Sequence, residues 1–156
     1  VVPPLVKRMQ DTYHDCRNLV GNPVSSPILV SAPNLYYGCN NLTGSVNMGI
    51  NILNVSGCFR YADNVATIYF PNAQLNVYVG NFYYAFVRNN YSTKQNIIVS
   101  NLSQYLSLRS AQTQVFNAVM ADGGAISEQI ECEGETINVV RYSYNAMKNC
   151  YLYCTV

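Results

Sequence analysis

Six cysteines, at positions 16, 39, 58, 132, 150 and 154, restrict the fold of this chain more sharply than any other feature. An even set in a chain this short reads as a disulfide framework, and disulfides belong to an oxidising compartment. Six cysteines allow about 15 complete pairings. Cys150 and Cys154, if they share a strand, lie about 13 Å apart, too far to bridge each other. Cys39 and Cys58 flank an expected strand region and form the favoured local pair. No CxxC occurs, so metal binding is the weaker reading of the set.

The surface chemistry points the same way. Only 11% of the residues are charged, and four Asn-X-Ser/Thr triplets place glycosylation candidates at Asn41, Asn54, Asn90 and Asn101. Asn90, in the turn-like Arg88-Asn89-Asn90-Tyr91, is the favoured acceptor, because an acceptor must be exposed. Cysteines, sequons and sparse charge together give an extracellular, cell-surface or virion-surface setting as the expectation. The start, Val1-Val2-Pro3-Pro4, fits a processed secreted chain or an excised domain.

Length and composition fit one folded domain: 156 residues, 49% hydrophobic, net charge +1. The nine basic residues are scattered, which argues against nucleic acid as a partner. No apolar run approaches the roughly 20 residues needed to span a bilayer. Residues 1–6 read as an extended arm because of the two prolines, and residues 7–156 as the domain.

Within that domain, Met9, Tyr13, Cys16 and Leu19 recur at helical spacing and predict one short helix from Lys7 to Val20. Val46, Met48, Ile50 and Ile52 alternate, then Leu53 and Val55 reverse phase, which predicts a bulged strand. Val65–Phe70 is a second strand. Leu75, Val77 and Val79, then Gly80-Asn81, then Phe82, Tyr84 and Phe86 read as a hairpin. Asn96–Ser100 is a further strand. Asn101–Met120 fits a helix with Asn101 and Gln104 as its capping pair, although strands for its two halves remain open. Ile126–Cys132, a turn at Glu133-Gly134, and a return through Ile137 and Val139 to Tyr144 form a second hairpin; Cys150–Val156 is the last strand. No internal repeat stands out. These elements predict an all-β, disulfide-stabilised β-sandwich with one or two short accessory helices.

Catalytic chemistry finds little footing. His14 is the only histidine, and no nucleophile elbow accompanies it. Glu128, Glu131, Glu133 and Glu135 gather around the second hairpin, where a solvated face fits better than a calcium site or a glycosidase carboxylate pair. No enzyme activity, cofactor or metal is expected. The fourteen tyrosines are more informative, since Tyr36-Tyr37, Tyr83-Tyr84, Tyr142 with Tyr144, and Tyr151 with Tyr153 come in pairs. A tyrosine joins a broad apolar ring to a hydrogen-bonding tip, which suits packing, interfaces and sugar stacking. The leading expectation is a glycosylated subunit of a pilus-like surface filament or coat, a homo-oligomer or polymer. Its contacts come from Val1, Val2, Leu5 and Val6 of the arm, by strand donation, and from Tyr151 and Tyr153. The alternative is a monomeric attachment or carbohydrate-binding module, with glycans or a receptor as partner.

Overall fold

The computed structural model describes residues 3–90, 92–117, 126–132, 135–140 and 150–154, and its backbone is organised as parallel coils stacked on one another. Met9, Asp11, Tyr13 and Asp15 donate their amides to the carbonyls of Ser31, Pro33, Leu35 and Tyr37. Ala32, Asn34, Tyr36 and Gly38 donate in turn to Asn54, Ser56, Cys58 and Arg60. Val55, Gly57, Phe59 and Tyr61 continue the ladder to Asn81, Tyr83, Ala85 and Val87. These bonds measure 2.7 to 3.0 Å and all run in one direction. The parallel bridges Arg8–Ser31 and Ser31–Asn54 set a coil length of about 23 residues, so each coil rests chiefly on its neighbours.

On the opposite side the coils carry short strands: β1 (Ser45–Asn47), β2 (Thr67–Tyr69), β3 (Gln95–Val99) and β6 (Cys150–Cys154), all parallel in that order. In register, Val46, Ile68, Ile97 and Leu152 place one apolar side chain per coil in the interior. Helices are inserted between strands: α1 (Val79–Phe82), α2 (Leu102–Ser110) and α3 (Gln112–Phe116). β4 (Ile126–Cys132) and β5 (Glu135–Val140) form a separate antiparallel pair.

Between ladder and sheet, aromatic rings from consecutive coils form a column. Ring centroids lie 5.6 Å apart for Tyr13–Tyr36, 5.7 Å for Tyr36–Phe59 and 6.3 Å for Phe59–Phe86, and Phe86 reaches Phe116 at 5.6 Å. Tyr36 is fully buried and satisfies its hydroxyl at the Val24 carbonyl and amide. Burial also raises its pKa well above the usual range for tyrosine.

A degenerate sequence repeat underlies the stacking. Asp11-Thr12-Tyr13-His14-Asp15-Cys16-Arg17-Asn18-Leu19 aligns with Asn34-Leu35-Tyr36-Tyr37-Gly38-Cys39-Asn40-Asn41-Leu42, and again with Gly57-Cys58-Phe59-Arg60-Tyr61-Ala62-Asp63-Asn64-Val65. The first position of each block is left-handed, with φ of 50° at Asp11, 52° at Asn34 and 62° at Gly57. The fifth is left-handed too, with 55° at Asp15, 72° at Gly38 and 59° at Tyr61. Asp, Asn and Gly tolerate this region best. The asparagine near the end of the second and third blocks ties coils together: Asn41 donates to the Arg17 carbonyl and Asn64 to the Asn40 carbonyl, each at 2.7 Å.

The all-β disulfide-stabilised sandwich is therefore wrong, and the chain has an α/β-like arrangement with a parallel sheet. The expected helix over Lys7–Val20 does not form, because Asp11 and Asp15 are left-handed and their amides bind the next coil. The bulged strand shrinks to β1, since Gly49 turns the chain at φ 82°. The 75–86 hairpin gives way to α1, whose neighbours stack in parallel instead of folding back. The long helix splits into α2 and α3 at Ala111; its start is as expected, with the Asn101 side chain accepting from the Gln104 amide. The β4–β5 pair matches the second expected hairpin.

The disulfide expectation also fails. Cys16, Cys39, Cys58, Cys150 and Cys154 form no disulfide, and the Cys132 side chain lies outside the described residues. Cys39 instead points its thiol at the Tyr13 carbonyl, 2.9 Å away. Burial pushes the Cys39 thiol up to about 11 and Cys150 to about 12. At pH 8 the Cys39 thiol therefore stays protonated and unreactive. Brief iodoacetamide treatment of the native protein at that pH is expected to label the exposed Cys16 and spare Cys39, Cys58 and Cys150. Peptide mass spectrometry checks this, and urea should expose all four.

Candidate functional site

The side chains that leave the coils beside the buried column form a second, surface row. His14 lies 4.4 Å from Tyr37, centroid to centroid, and Tyr37 meets Tyr61 edge-on at 5.5 Å. The Arg60 guanidinium sits over three rings, 5.3 Å from Tyr37, 4.9 Å from Tyr61 and 5.0 Å from Tyr84. It also donates to the Tyr61 hydroxyl at 3.1 Å, and Tyr84 stacks on Tyr83 at 4.1 Å. Four successive coils thus contribute to one continuous band of rings and a cation.

Two of these rings are held at a cost. Tyr61 has φ 59° and Tyr84 φ 54°, at positions where other coils use Asp, Asn or Gly. A left-handed conformation costs a bulky L-residue roughly 1–2 kcal/mol. Stacking with Arg60 and with neighbouring rings, each contact worth about 0.5–1.5 kcal/mol, offsets much of that. Strain of this kind concentrates where a surface has work to do.

A polar hollow of about 350 Å3 opens against the row. Tyr37 and Tyr61 form its aromatic side, and Asp15, Arg17, Asn40 and Asn89 supply polar groups. Gly38 forms part of the floor, where a Cβ would come within 2.3 Å of the Asp15 carboxylate. The Asp15 carboxylate faces Nδ1 of His14 at 3.7 Å and the Arg17 guanidinium at 3.8 Å, both beyond hydrogen-bond length. The Asn40 amide nitrogen turns toward the carbonyls of Tyr61 and Gly38. Asn89 is carried by a loop that Asp63 fixes, since its buried carboxylate accepts from the amides of Asn89 and Asn90 at 3.1 and 3.0 Å. Arg88, also buried, donates to the Asp63 carbonyl.

Other residues singled out from sequence fall elsewhere. Val1 and Val2 lie outside the described residues, Leu5 is exposed, and Val6 packs against the core. Tyr153 is half-buried on β6 opposite Ile98, next to Tyr151. Glu128, Glu131 and Glu135 lie on β4 and β5, while Glu133, Tyr142 and Tyr144 lie outside the described residues. Of the sequon asparagines, Asn90 is exposed and its side chain accepts from the Ser92 amide. Asn41 is exposed but committed to the coil ladder, Asn54 caps the Ser56 amide, and Asn101 holds both the α2 start and the Ala73 carbonyl. Among the described residues, no cluster of three potential metal ligands occurs, and no helix is long and apolar enough to cross a membrane.

Sequence reasoning picked out tyrosine pairs but not this row. It missed Arg60, Asp15 and Tyr61, which the 23-residue register of the first three coils would have brought together with His14 and Tyr37; Tyr84 follows at a longer offset, since the Gly57 amide bonds the Tyr83 carbonyl. Comparison of the chain with family models, with curated proteins and with solved structures gave no match.

Proposed function

We propose that this protein is a non-catalytic carbohydrate-recognition module that lays a glycan along the row from His14 to Tyr83. The observation that carries this reading is the band of rings itself, built across four coils around Arg60, with Tyr61 and Tyr84 kept in a strained backbone. Tyrosine faces stack on the C–H surfaces of sugars, and polar groups beside them read the hydroxyls. Stacked-coil proteins commonly bind along such extended faces. Action at the surface of a cell or virion, where glycans are met, is part of the proposal. The filament-subunit reading draws less support, because Val6 of its docking arm is packed inward.

A glycan array probed with the purified protein tests the reading. Saturable binding is expected, reduced roughly tenfold by Tyr37→Ala or Tyr84→Ala, since one ring contact is worth about 0.5–1.5 kcal/mol beyond its buried area. A blank array sinks it.

A further inference from the structure

Resting on that reading, the hollow beside the row has a chemistry of its own. We infer that it is a hexose subsite in which Asp15 accepts hydrogen bonds from two neighbouring hydroxyls of one sugar ring resting against Tyr37 and Tyr61, so that Asp15 selects neutral sugars over acidic ones. Among the described residues the Asp15 carboxylate receives no hydrogen bond, although its two oxygens can accept about four. Its side chain is 46% exposed and borders the hollow. Its nearest cation, Arg17, is 3.8 Å away on a side chain 74% exposed, close enough to balance the charge without occupying the oxygens. Gly38 keeps this arrangement open, because any Cβ there would displace the carboxylate. Asn89, on a loop held by Asp63, also lines the hollow and brings a side-chain amide to it. A carboxylate with free lone pairs, an amide and two ring walls recognise a diol set on an apolar face. A sugar carboxylate in the same place would meet Asp15 charge to charge.

The test titrates the protein with methyl glucoside, methyl mannoside and methyl galactoside, with the 2-deoxy and 3-deoxy forms of glucose, and with glucuronate. Binding is read from amide chemical shifts of the coil residues. At least one neutral hexoside should bind through resonances of Gly38, Asn40 and Asn89. Removing one hydroxyl of the pair should weaken it roughly tenfold or more, as should Asp15→Asn, since hydrogen bonds to a charged group are worth about 1.5–3 kcal/mol. Asn tolerates the left-handed backbone at φ 55° as Asp does, so this variant keeps the fold. Glucuronate should bind more weakly than glucoside. Tighter glucuronate binding, or undiminished binding by Asp15→Asn, overturns the subsite. If Tyr37→Ala abolishes array binding while Asp15→Asn does not, the row stands and the subsite falls. If the array is blank and no hexoside binds, both fall.

Discussion

Replacing Phe59 with Ala should lower stability by about 4 kcal/mol, within the range of roughly 3–5 kcal/mol for a buried phenylalanine. Phe59 is fully buried and joins Tyr36 to Phe86 in the aromatic column. Ala leaves a void that rigid neighbours close only in part, and it removes two ring contacts at once. The location raises the stakes. In a stack of coils each unit is held mainly by the next, so a gap in the third coil uncouples the coils before it from those after. In a chain of this size, 4 kcal/mol corresponds to a fall in Tm of about 8–16 °C. Calorimetry or circular dichroism would read it. A fall of under 3 °C would mean that the column is not what couples the coils. Phe59→Leu, which keeps most of the volume, should cost less than about 1.5 kcal/mol.

Asp63→Ala should cost about 3 kcal/mol and act on the site as well as on the fold. Asp63 is 5% exposed, and its carboxylate accepts from two backbone amides, those of Asn89 and Asn90. Hydrogen bonds to a charged acceptor are worth about 1.5–3 kcal/mol each, less whatever water restores. Buried Arg88, which donates to the Asp63 and Thr93 carbonyls, anchors the same loop from its other end. Urea unfolding gives the stability change. Hexoside binding should weaken in parallel because Asn89 loses its support, whereas the Tyr83–Tyr84 end of the row should be unchanged. A variant that unfolds at the wild-type urea midpoint would show that the clip is incidental.

How much of this was legible beforehand depends on the length scale. Short-range chemistry read well. Asn101 and Gln104 cap α2, Gln95–Val99 pairs within one residue of its expected place, and β4 pairs antiparallel with β5 as the second expected hairpin requires. Periodicity misled where the coil imitates a helix. Met9, Tyr13 and Leu19 turn inward at helix-like intervals because left-handed residues at 11 and 15 wind the chain tightly there, while Cys16 stays exposed. Parallel pairing at offsets of 22 residues (Ser45 with Thr67) and 29 residues (Thr67 with Asn96) leaves no hairpin signature, so three-residue strands read as parts of longer antiparallel ones. The cysteines followed the same logic. Cys16 and Cys39 recur because they hold one repeat position, where Ala62 stands in the third coil, and not because they pair. The Tyr36-Tyr37 pair separates for the same reason: Tyr36 points into the column and Tyr37 out to the row.

The left-handed positions carry a last implication. Each coil offers an outward-facing site whose backbone is fixed by the ladder and whose side chain touches little of the interior, and the chain already fills these sites with Asp, Asn, Gly and Tyr. Such sites behave like interchangeable type in a fixed frame. Under the proposed reading, exchange at the Asp and Tyr sites changes what the face presents at that height, whereas Gly38 and Gly57, where a Cβ would run into Asp15 and Asn34, keep the frame in place.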